Sequence, residues 1–122
     1  MREVRMMIED YELMGHARRA FLAWAKRSGE RGVELAAGER KAVRALEADT
    51  RLDSAVLMTW ESSPEGDLGW VAALRWLREH VADDLASAHV PEAERPDYLA
   101  VRYEAIARTL AKLDGSLLEG AG

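Results

Sequence analysis

The sequence predicts an all-α protein, a compact bundle of four or five helices whose last two, about 67–90 and 97–117, form an antiparallel hairpin. Three observations lead there. Apolar residues recur at spacings of three and four, the period of a helix with one buried face. Strand-forming residues never alternate over a useful length. The three prolines come late, at Pro64, Pro91 and Pro96, so half the chain carries no helix breaker. With 122 residues, 1–122 reads as one helical domain, large enough for a hydrophobic core.

The first helix is expected from about Arg2 to Ser28. Val4, Met7, Tyr11, Met14, Phe21 and Ala25 form one apolar stripe, and Leu13, Ala17, Ala20 and Trp24 form a second beside it. Lys26 and Arg27 suit the negative end of the helix dipole, and Gly29 offers a C-terminal cap. The glycine-rich stretch 29–38 reads as a loop. A second helix follows over 39–48 with Val43 and Leu46 inward. A third is expected over 53–61, burying Val56, Leu57 and Trp60, either separate from the second or one bent helix with it. Ser62-Ser63-Pro64-Glu65-Gly66 is the clearest break. Asp67 then caps a helix with the stripe Trp70, Leu74, Leu77, Val81, Leu85 and Ala88. The last helix carries Leu99, Tyr103, Ile106, Leu110, Leu113 and Leu117, and Gly115 is expected to end or kink it.

Several function classes fall away on composition. There is no cysteine, so disulfides, thiolate metal sites and cysteine nucleophiles are excluded. No apolar run approaches the roughly 20 residues of a membrane span. Charges interrupt the apolar residues of 1–10, unlike a secretory signal, and a cytoplasmic location is expected.

The three histidines, His16, His80 and His89, have Leu13, Leu77 and Ala86 three residues before them. The Glu-x-x-His pairs of a carboxylate-bridged metal bundle are therefore missing. No His-Glu-x-x-His, no Gly-x-Ser-x-Gly elbow and no phosphate-cradling loop occurs. Glu9 and Glu12 match one half of the paired carboxylate motifs of helical nucleotide pyrophosphatases, but the next helix offers no second half. Neither a metal nor a cofactor is called for.

One short pattern, Arg75-Trp76-Leu77-Arg78-Glu79-His80, resembles the signature of HEPN-type ribonucleases, small all-helical dimers. The resemblance implies that Arg75 clamps an RNA phosphate while His80 exchanges a proton. It covers six residues, and Trp76 stands where the family usually has a polar side chain. Arg75 and His80 also sit five apart, about 140° around a helix. Edge positions of an amphipathic helix, with Glu79 pairing Arg75 and Asp84 pairing His80, account for the same residues.

Charge is unevenly spread. The stretch from His16 to Arg44 holds eight Lys or Arg against three Glu, whereas Arg51 onward holds seven basic and thirteen acidic residues. Arg18, Arg19, Lys26, Arg27, Arg31, Arg40, Lys41 and Arg44 are thus candidates for binding nucleic acid or an acidic partner. Among the four tryptophans, Trp24, Trp60 and Trp76 are candidates for a protein interface, Trp76 because it lies off the main stripe.

The function these features favour is a non-enzymatic interaction protein, an accessory subunit or inhibitor with another protein, or a second copy, as partner. An RNA-cleaving toxin using Arg75 and His80 is the enzymatic alternative. A nucleic-acid-binding subunit using the basic region is the third, comparable in size and class to the small helical subunits of CRISPR effector complexes.

Overall fold

A computed structural model describes residues 3–49, 59–61 and 64–121, with side chains for 6–49, 65–86 and 88–115. The architecture is an all-α bundle of five helices that pack against one another. In chain order a short strand β1 (Glu3–Arg5) precedes helices α1 (Ile8–Glu30) and α2 (Ala37–Ala48). A second strand β2 (Thr59–Glu61) leads to α3 (Pro64–Glu79), α4 (Val81–Ala88), a 3-10 turn (Glu92–Glu94) and α5 (Arg95–Ala121). Helix α3 is central, packed on α1, α2 and α5. The core gathers Met14, Phe21, Leu46, Trp70, Leu74, Leu77, Ile106 and Leu113 from those four helices.

The first helix starts later than the apolar spacing suggested. Residues 3–5 pair antiparallel with 59–61, in the register Glu3↔Glu61, Val4↔Trp60 and Arg5↔Thr59. This small pairing is an addition to the all-helical expectation. It also corrects the third predicted helix at its end, since Thr59–Glu61 is extended; 50–58, with Val56 and Leu57, lie outside the described residues. An extended chain alternates its side chains, so Met6 is fully buried and Met7, expected inward, is 48% exposed.

Helix α1 runs two residues past Ser28. Gly32, rather than Gly29, supplies the left-handed residue of the cap at φ 73°, and the Val33 amide donates to the Ser28 carbonyl at 2.8 Å. Helix α2 is closed at its start by Glu39, whose Oε1 accepts from the Ala36 amide at 2.8 Å. It crosses α3 at Gly69. A Cβ on Gly69 would stand 3.1 Å from Ala45 Cβ, 3.2 Å from Leu46 Cγ and 3.3 Å from the Ala42 carbonyl oxygen. The close crossing therefore depends on a missing side chain.

Helix α3 begins at Pro64, which fits a first turn because no helical partner is needed there for its absent N–H. Asp67 is consequently inside the helix, not its cap. The predicted helix 67–90 is divided at His80, whose backbone leaves helical geometry at φ −112° and ψ 48°. One carbonyl serves two donors there. The His80 amide donates to the Trp76 carbonyl at 2.9 Å, and the ring Nδ1–H donates to the same oxygen at 3.0 Å. Of the expected stripe, Trp70, Leu74 and Leu77 are buried, Val81 and Leu85 half-buried, and Ala88 exposed. Helix α5 returns antiparallel, with Asp114 beside Arg75 and Tyr98 beside Asp84. It continues through Gly115 to Ala121, because a lone glycine weakens a helix by about 1 kcal/mol without stopping it. Tyr103, expected inward, is 41% exposed.

The start of α1 is tied to α5 by a buried carboxylate. Asp10 Oδ2 accepts from the Met7 amide at 2.9 Å and from Lys112 Nζ at 2.6 Å; Oδ1 accepts from Thr109 Oγ1 at 2.8 Å. Arg108 Nε approaches Oδ1 at 3.4 Å. Burial pushes the Asp10 carboxyl up, but Lys112, the Met7 amide and Thr109 together bring it below its ordinary value.

Replacing Asp10 by alanine should destabilise the fold by about 3 kcal/mol, because it leaves the Thr109 hydroxyl, the Met7 amide and Lys112 without their acceptor. Gly69→Val should cost about 1–3 kcal/mol by overpacking. Chemical denaturation measures both, and unchanged stability in either variant would contradict the corresponding contact.

Candidate interaction groove

A cavity of about 860 Å³ lies between α2 and α3. Its lining on α2 runs from Ala36 and Gly38 to Ala48, and on α3 from Glu65 to Glu79, ending at His80. Along α2 that is a length of about 18 Å at the helical rise. Phe21, Ala42, Ala45, Leu68, Val71 and Ala72 give it apolar lining, and Leu68 is 48% exposed. The charged lining is balanced: Lys41, Arg44 and Arg75 against Glu39, Glu65 and Glu79.

One end of the groove is aromatic. Phe21 and Trp24 stack with centroids 5.7 Å apart, and Trp24 lies 5.6 Å from Trp76. The His80 ring stacks on Trp76 at 4.8 Å, tilted by 15°. Trp76 is only 5% exposed, which corrects the expectation of a surface residue. A position off one stripe of α3 still faces α1, because a central helix is covered on several sides. Trp76 Nε1 is buried and has no hydrogen-bond partner among the described residues. Trp24 is half-buried, and the side chain of Trp60 lies outside those described.

Arg75 and His80 both line this groove, each already engaged. Arg75 reaches the two Asp114 oxygens on α5 at 3.3 and 3.4 Å instead of pairing with Glu79. The Nδ1–H of His80 is held by the Trp76 carbonyl. Asp84, the expected partner of His80, turns instead to His16. The eight basic candidates divide. Lys41 and Arg44 line the groove, and Arg19, Lys26, Arg27 and Arg31 are exposed on α1 and just after it. Arg40 donates to the Leu35 carbonyl at 2.7 Å and lies 3.7 Å from Glu34. Arg18 is half-buried, its Nε inside the protein without a hydrogen-bond partner among the described residues.

A second polar cluster joins α1, α4 and α5, and sequence reasoning missed it. His16 Nε2–H donates to Asp84 Oδ1, Tyr98 OH donates to Asp84 Oδ2 at 3.2 Å, and Arg102 donates to Tyr98 OH at 2.6 Å. Arg102 also covers the Tyr98 ring, 4.6 Å from its centroid. Burial raises the Asp84 carboxyl, but the hydrogen bond and charge of His16, with Arg102 and Tyr98, bring it below its ordinary value. Burial and the adjacent Asp84 raise the Tyr98 hydroxyl. No local spacing announces this cluster, since His16 and Asp84 are 68 residues apart.

Among the described residues no three His, Asp or Glu side chains converge as metal ligands, and no helix is long and apolar enough to cross a membrane. No protein-family model, curated protein or solved structure matches the chain.

Asp10 and Asp84 have lowered folded-state values. Their contribution to stability is therefore complete above the unfolded carboxylate value of about 3.9 and is lost as pH falls through the lower folded value. Thermal melts between pH 7 and pH 2 should show stability falling steeply below about pH 4. Asp84→Asn should lower stability at neutral pH by about 1–3 kcal/mol and flatten that acid limb; an unchanged limb would contradict the charge assigned to Asp84.

Proposed function

We propose that the chain is a non-enzymatic cytoplasmic interaction protein whose α2–α3 groove receives an amphipathic helix of another protein. The observation that carries this reading is the shape and lining of the groove. It is a trough of about 18 Å, long enough for some three turns of helix. Its lining is apolar between charged residues of both signs, the arrangement that suits a helix with one apolar face and mixed charged flanks. The half-exposed Leu68 is a contact that such a helix would cover.

A ribonuclease is the second reading, favoured by one observation: Arg75 and His80 share the groove with Lys41 and Arg44. Against it, three carboxylates line the same surface, Arg75 is paired with Asp114, and the His80 ring lies flat on Trp76. A polyanion gains little from a site of balanced charge. The same balance weighs against this groove as the nucleic-acid surface of an accessory subunit.

The test places a photo-crosslinking residue at Leu68 and sequences the protein segment it captures. An amphipathic helical segment is expected, with capture falling at least about tenfold when Ala72→Glu puts an unpaired charge in the apolar lining. Capture that ignores Ala72→Glu would reject the groove. RNA cleavage by the purified protein, lost in His80→Ala, would replace this reading by the ribonuclease.

A further inference from the structure

The solvent face of α1 is divided by charge. Glu9 and Glu12 occupy its first half, Arg19 its midpoint, and Lys26 and Arg27 its second half, and all five are exposed. At 100° per residue these positions and Ala23 fall within one stripe about 100° wide, which also holds the half-buried His16 and, at the last residue of the helix, Glu30. The helix dipole favours acids in the first turn and bases in the last. It does not reach Glu12, Arg19 or Lys26, which lie outside those turns. The acidic half is reinforced from α5 and the turn before it. Glu94 and Asp97 line, with Glu9 and Glu12, a cavity of about 830 Å³ that also includes Leu13, Val101, and His16 and Arg102, which are paired with Asp84 and Tyr98. Val101 is 70% exposed, and Ile8, at the same end of α1, is 53% exposed.

We propose that two copies of this chain pair through α1, antiparallel about a two-fold axis. Laid that way, Glu9 and Glu12 of each copy cover Lys26 and Arg27 of the other, while Arg19, at the axis, lies opposite its own symmetry mate. A parallel pairing would set like charge on like. Self-complementarity is what an isologous contact requires, because each residue of the patch must be answered by the same patch rotated. Ala23 presents no bulk between the helices, and Val101 and Ile8 supply apolar area beside the charges. Exposed ion pairs are individually weak and screened by salt, so the dimer is reversible and sensitive to ionic strength. The α2–α3 groove takes no part, and the contact stands independently of the function proposed for it.

Sedimentation equilibrium of the full chain tests this. A dimer is expected at about 20 mM salt, with its Kd weakened at least about tenfold at about 500 mM, where the Debye length falls to a few ångströms. Lys26→Glu with Arg27→Glu should give a monomer, and so should Glu9→Lys with Glu12→Lys. Mixed in equal amounts, those two variants should form a heterodimer, and a chain carrying all four substitutions should dimerise again. The restored pairs show at once that the variants are folded. A strict monomer at low salt, a dimer indifferent to salt, a mixture that stays monomeric, or growth beyond a dimer would each overturn the proposal.

Discussion

A carboxylate removed from water must be answered by donors, and the bundle is organised around the one at Asp10. It has no exposed surface, and its oxygens accept from the Met7 amide, Thr109 and Lys112. The first of these closes the start of α1; the other two lie on α5, about a hundred positions away in sequence. One side chain therefore both caps a helix and fixes where its distant neighbour crosses. Another buried carboxylate, Asp84, holds His16 and Tyr98 further along the same pair of helices. Two fixed points along one seam specify its register, and the interdigitation of the apolar side chains sets the crossing with them. The core of α3 side chains then fills the space that this seam encloses.

Helices were legible in the sequence wherever one face was apolar over several turns. Tyr11, Met14, Leu74, Leu77, Ile106 and Leu113 are all buried where the spacing put them. The errors fall where another interaction outweighs periodicity. At residues 3–7 the chain is extended, so Met6 and Met7 exchange the places that a helical period assigned them. At His80, where the backbone leaves helical geometry, the ring shares the Trp76 carbonyl with the backbone amide, a contact that no propensity scale registers. Trp76 was misplaced because a single stripe was drawn on a helix that is covered by three others.

The groove was hardly legible at all. Arg75 and His80 were noticed as a pair, but the surface they share with Lys41, Arg44 and Leu68 exists only because α2 folds across α3. That crossing rests on Gly69, which in the sequence is one glycine beside a turn. Nothing near it signals that Ala42, Ala45 and Leu46 will pack on its bare Cα. The His16–Asp84–Tyr98–Arg102 cluster was hidden for a related reason. Its members are ordinary helix residues until three helices bring them together.

Helix α2 packs chiefly on α3, with slighter contact to α1. Only Ala42 and Leu46 among its residues are fully enclosed, whereas α3 is buried on several sides. Cooperative units of a protein open in the order of how little they bury. Helix α2 is thus held mainly by one neighbour, and its amides exchange with solvent sooner than those of the more deeply buried α3. The groove wall it forms therefore has a single support: a shift of α2 on α3 alters the width of the site while the bundle beneath it stays closed.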